Sequence, residues 1–119
     1  LAHTPMEHMT GAHAVPDEAM AVPNPIAATE ESIAAGAATY AQSCAVCHGT
    51  GGEGDGPGAA GLAIKPANLN ADHVQELTDG GLFYIITHGR AGTAMPAWES
   101  TLTEEQRWQV VNFIRTFDE

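Results

Sequence analysis

An all-α domain of three to four short helices around a long glycine-rich loop is what this sequence predicts. Apolar residues recur at helical spacing in separate short segments, each led by a capping residue. No segment alternates apolar with polar residues as a half-buried strand would. At 119 residues the chain holds one core.

Residues 1–28 hold four of the seven prolines, three of the six histidines, three of the four methionines and no aromatic residue. They read as an extended leader in which proline prevents a helix, and Pro23-Asn24-Pro25 marks its end. The domain then covers residues 29–119. Thr29 is the expected cap of a helix over about 30–44. Glu30 and Glu31 lie in its first turn, and Ile33, Gly36, Ala37, Tyr40 and Cys44 fall at helical spacing. From Gly49 to Gly61 seven of thirteen residues are glycine, so this segment is a loop, continuing through Lys65-Pro66-Ala67-Asn68-Leu69. Asn70 is the expected cap of a short helix over about 71–77. A further helix starts near Thr78-Asp79, buries Leu82, Ile85 and Ile86, and stops at Gly89. After a loop over 90–101, Thr103-Glu104-Glu105-Gln106 has the capping-box pattern, ahead of a stripe formed by Trp108, Val111, Ile114 and Phe117.

Composition excludes several roles. Four basic against fifteen acidic residues leave a formal charge of −11, which repels phosphate backbones and anionic lipid, so nucleic-acid binding is not expected. A redox protein with a basic docking surface suits that charge better. The central apolar run, Leu82-Phe83-Tyr84-Ile85-Ile86, is far short of the roughly 18 residues of a membrane span. The chain starts at Leu1, which reads as a processed or truncated product. Seven aromatic residues are few for filling a core, and something else must help fill it.

Cys44-Ala45-Val46-Cys47-His48 supplies a candidate. Cysteines three apart followed by histidine suit covalent haem attachment, a redox dithiol or half of a zinc site. A thioredoxin-like dithiol needs a βαβ context that is absent here. Zinc needs two more ligands, for which the domain offers only His73 and His88, and His88 reads as a helix-end histidine. Haem attachment fits best: both thiols add to the vinyl groups of one porphyrin and His48 turns its ring to the iron. A sixth ligand then comes from far along the chain. Met95, in Thr93-Ala94-Met95-Pro96-Ala97-Trp98, is the only methionine of the domain, with Pro96 stiffening its loop. Its soft thioether favours ferrous iron and a raised potential.

With these residues in order over about 29–119, the chain resembles small class I c-type cytochromes of the monohaem His/Met kind. That resemblance implies a cytochrome c fold, three to four short helices around one covalently bound haem c, with the extended N-terminal leader as an addition. It implies that Gly36 and Tyr40 lie where the last helix crosses, with Trp108 as partner. It gives Pro66 the carbonyl that accepts the Nδ1 proton of His48, with Pro57 as rival. Trp98 is placed near a haem propionate, and Arg90 and Lys65 are candidates for neutralising one. The expected function is one-electron transfer in the periplasm or another extracytoplasmic space, not catalysis on a substrate. The alternative is a cytochrome subunit or clipped domain of a larger oxidoreductase or respiratory complex, with a membrane-complex partner contacted by the leader. A third reading makes the leader a copper site through Met6, His8, Met9 and His13, with His3 and Met20 nearby. The leader is expected mainly to pack on the domain or a partner.

Overall fold

The computed structural model describes residues 15–118, which contain only helices and loops. Helix α1 spans Asp17–Met20, α2 Glu30–Ser43, α3 Ala45–His48, α4 Asp72–Gln75, α5 Asp79–His88 and α6 Glu104–Ile114. Two 3₁₀ turns, Pro57–Ala59 and Arg115–Asp118, complete the order. The all-α class therefore holds, with more and shorter pieces than three to four helices.

Local chemistry explains the three longest. Thr29 and Thr103 close reciprocal capping boxes with Ser32 and Gln106, and Thr78 Oγ1 accepts from Gly81 N at 3.0 Å. The first turns carry Glu30 and Glu31, Asp79, and Glu104 and Glu105, where the helix dipole favours negative charge. Asn70 does not cap α4. Ala71 stands at that position, and the Asn70 amide donates to Gly51 O at 2.9 Å, tying the glycine loop down.

The leader needs correction too. Pro16 stands at the N-cap of α1, where a fixed φ costs nothing and a missing N–H is not needed, and its carbonyl accepts from Ala19 N and Met20 N. Proline here starts a helical turn that Asp17–Met20 complete before Pro23. Residues 15–28 pack on the other helices: Val15 is buried, Met20 sits over Gly81, and Asn24 Nδ2 donates to Asp79 Oδ2 at 3.2 Å and Asn112 Oδ1 at 2.8 Å. Asn112, buried on α6, donates in turn to Ile26 O and Ser32 Oγ. The copper candidates His3, Met6, His8, Met9 and His13 lie outside the described residues.

The central contact is α2 crossing α6. A Cβ on Gly36 would lie 2.0 Å from Gln109 O and 3.1 Å from Phe113 Cβ, so only glycine allows this approach. The partner at the crossing is thus the Gln109–Phe113 face and not Trp108, which sits about 100° around the helix from Gln109. Trp108 instead stacks on Phe83 of α5, ring centroids 3.9 Å apart, and its Nε1 has no hydrogen-bond partner among the described residues. Tyr40 packs against Phe113 and Phe117 at 5.1 and 5.7 Å. Leu69, Val74, Leu77, Leu82, Ile86, Val110 and Ile114 form the rest of a one-sided core. Their free side faces a cavity.

Candidate cofactor-binding cleft

One wall is the junction of α2 and α3. Cys44 ends α2, and the single turn of α3 carries Cys47 and His48. Both thiols are free and half-buried. Burial, and then the neighbouring Cys47, push the Cys44 thiol up to about 11. Burial lowers the His48 pKa, opposed by its hydrogen bond to Ala67 O. That bond spans 3.0 Å from Nδ1, and because a carbonyl can only accept, Nδ1 carries the proton. Nε2 keeps its lone pair, the state a metal ligand requires.

The acceptor corrects the sequence expectation, since neither Pro66 nor Pro57 faces the ring. Pro57 is exposed at the start of a 3₁₀ turn. The Pro66 carbonyl points at Gly54, where a Cβ would come within 2.6 Å, and the next carbonyl along the chain, Ala67's, turns to His48. The glycine loop wraps this wall from outside. Gly54 N donates to His48 O at 2.7 Å, Gly56 N to Cys47 O at 3.0 Å, and Leu69 N to Gly52 O at 2.6 Å. Its conformation thereby satisfies the carbonyls at the end of α3. Tyr40 Oη donates to Gly49 O at 2.6 Å; burial, reinforced by Cys44 and Asp55, holds its phenol far above the usual range.

The facing wall is the loop after α5. Gly89 has φ 72°, and a Cβ there would meet Met95 O at 2.7 Å and Pro96 C at 2.8 Å. Glycine lets the loop fold back on the helix end. Arg90 N donates to Met95 O at 3.3 Å and Trp98 N to Ile86 O at 3.0 Å. Thr93 Oγ1 donates to Arg90 O at 2.7 Å and accepts from Met95 N at 3.2 Å.

Between these walls lies a cavity of about 1050 Å³, open mouth included. It brings together Cys44, Cys47, His48, Pro66, Arg90, Met95 and Trp98, residues up to 54 positions apart in the chain. Val74, Leu77, Leu82, Ile86, Val110 and Ile114 supply an apolar lining. Among the described residues no carboxylate lines it, and those that carry charge there are Lys65 and Arg90. Lys65 Nζ also donates to Ala59 O and Ala60 O, closing the 3₁₀ turn. A large apolar ring system carrying a soft metal and acidic substituents fits this chemistry, with imidazole and thiols on one wall and a thioether on the other.

The other sequence candidates lie elsewhere. His88 is exposed and packs on Tyr84, His73 is exposed on α4, and Met20, in the leader's own helix α1, lies 3.7 Å from Thr78 Oγ1. Among the described residues no three His, Cys, Asp or Glu side chains group as a metal site. Ala67, Gly89 and Thr93 were missed as site residues. Gly89 was legible as a helix stop, and nothing local distinguished Ala67.

Residues 31–114 match the family model described as cytochrome C oxidase, cbb3-type, subunit III. The cytochrome c subunit of a quinone alcohol dehydrogenase from Gluconacetobacter polyoxogenes is 31% identical over 78% of this chain and 20% of its own length. Cytochrome c55X of Paracoccus denitrificans is 38% identical over 63% of this chain and 65% of its own. A chain of the Kuenenia stuttgartiensis reducing HAO-like protein complex superposes with a TM-score of 0.71 at 26% identity, over 84% of this chain and 49% of that one. The chain thus spans about a fifth of the alcohol dehydrogenase subunit and half of the matched structure. Among the described residues no helix is long and apolar enough to cross a membrane.

Proposed function

Because the chain belongs to the cytochrome c family and family membership implies haem binding, we propose that it carries one haem c, bound through Cys44 and Cys47 and ligated by His48 and Met95, and that it transfers single electrons. The carrying observation is that the two thiols, the imidazole and the one thioether of the cavity converge from distant segments on a single apolar chamber. When bound, haem supplies a one-electron iron couple. The protein's part is positional. Ala67 O holds the His48 tautomer, the α3 turn presents both thiols on one side, and the Gly89–Trp98 loop delivers the thioether. With His48 and Met95 both holding the iron, it would offer no free coordination site to a substrate. We assign the acidic substituents to Lys65, Arg90 and Trp98, which line the cavity.

The setting we propose is extracytoplasmic, with a partner that presents a basic surface to the −11 charge. Coverage of only a fifth of the alcohol dehydrogenase subunit favours a second reading of the same chemistry, a cytochrome module of a larger oxidoreductase. A haemochrome assay on denatured protein tests covalent attachment directly, since haem that extracts into acid acetone would sink it. Met95→Ala should admit exogenous imidazole or cyanide and lower the potential; an unchanged spectrum and ligand inertness would assign the sixth position elsewhere. Association with a basic partner should slow as the Debye length falls from about 30 Å at 0.01 M salt to about 8 Å at physiological strength, and flat kinetics would indicate a preformed complex.

A further inference from the structure

We propose that Arg107 is a potential-setting residue: its buried, unpaired positive charge favours the reduced iron. The inference rests on the haem reading above. Arg107 is 8% exposed, on α6. Its Nη1 donates to Thr87 Oγ1 at 2.7 Å, its Nε to Thr103 O at 3.3 Å, and its guanidinium lies 5.0 Å over the Phe83 ring. All three partners are neutral. The chain has fifteen acidic side chains to four basic ones, yet the ion pair found among the described residues is Arg115 with Asp79 at 2.8 Å, not Arg107. Glu104, one turn back on α6, is exposed.

Burying a cation without a counter-ion costs solvation that neutral hydrogen bonds offset only partly. Such a charge needs a role beyond packing, and its surroundings supply one. Val110, three residues after Arg107 on α6, and Ile86, next to Thr87 on α5, both line the cavity, so Arg107 is held between the two helices that supply part of the apolar wall. Ferric iron carries one more positive charge than ferrous iron. A fixed cation close by in a low dielectric therefore opposes oxidation. The acidic surface pulls the other way, favouring ferric iron, but salt screens exposed charges and hardly touches a buried one. Arg107 thus keeps the thioether-ligated couple high on a chain whose net charge would lower it.

Redox titration of the holoprotein tests this. Arg107→Gln should shift the midpoint potential downward, whereas Arg107→Lys should stay near wild type. The Gln shift should be the same at low and high salt, while the small shift from exposed Glu104→Gln should vanish at high salt. Should Arg107→Gln fail to fold, Thr87→Asp leaves the arginine in place and gives it a carboxylate, and the potential should again fall. Unchanged potentials in Arg107→Gln and Thr87→Asp would overturn the proposal, and so would equal falls in the Gln and Lys variants, which would mark a packing role. A wild-type chain that takes up no haem would instead fail the underlying reading before any variant is compared.

Discussion

The two walls of the cavity are built differently. The thiol wall joins a 14-residue helix, crossed at backbone distance by α6, to a turn whose carbonyls are satisfied by the glycine loop. The methionine wall is one loop, closed by Arg90 N to Met95 O at 3.3 Å, Trp98 N to Ile86 O at 3.0 Å and the Thr93 hydroxyl. A ligand on the first wall moves only if helices separate, whereas one on the second moves if a loop opens. We expect the thiol wall to open only with the global fold and the methionine wall to open locally.

Breaking the first wall should have the largest effect. Cys44→Ala with Cys47→Ala removes the proposed covalent anchor from a domain whose core is one-sided without it, so little cooperative folding should remain. A cooperative, haem-free thermal transition in that variant would show the helices to be self-sufficient. Gly89→Ala attacks only the second wall. At φ 72° and ψ −167° the backbone lies in a region essentially reserved for glycine, which costs another residue about 1–3 kcal/mol, and the new methyl would meet Met95 O at 2.7 Å. Haem attachment and helix content by circular dichroism should persist while exogenous ligands gain access to the iron; loss of helix content in step with ligand entry would show the walls to be one unit. Thr93→Val is the smallest cut. Removing the hydroxyl that bridges Arg90 O and Met95 N should cost about 0.5–1.5 kcal/mol, seen as faster imidazole entry with an almost unchanged melting temperature. Thr93→Ser should restore the wild-type rate, and equal rates in all three proteins would remove Thr93 from the account.

The thiol wall was also the more legible one. Cys44, Cys47 and His48 lie within five residues, so their chemistry is set by spacing along one turn. Met95 was reached by elimination among domain methionines. Arg90 and Trp98 line the cavity with it, but which loop contacts hold it could not be read, because Gly89 N–Cα geometry and the Thr93 hydroxyl bonds depend on how the chain returns to the end of α5. The leader was misjudged for a related reason: proline density argued against any helix, whereas a single proline at the N-cap followed by six residues free of proline permits one turn.

By itself the sequence determined what is local: the threonine caps, the helix periods, the glycine stop at residue 89, the Cys44–Cys47–His48 spacing and the acidic charge. These rest on interactions between residues a few positions apart, which spacing alone specifies. Only the tertiary structure decided that Ala67 and not Pro66 faces His48, that Gln109 and Phe113 and not Trp108 meet Gly36, that residues 15–28 lie on α5 and α6, and that Arg107 is buried beside neutral partners. Each of those depends on rotation about a helix axis or on the order of carbonyls along an extended loop. A shift of one residue turns a side chain by about 100° on a helix, so partners across the fold are chosen by packing all the elements at once.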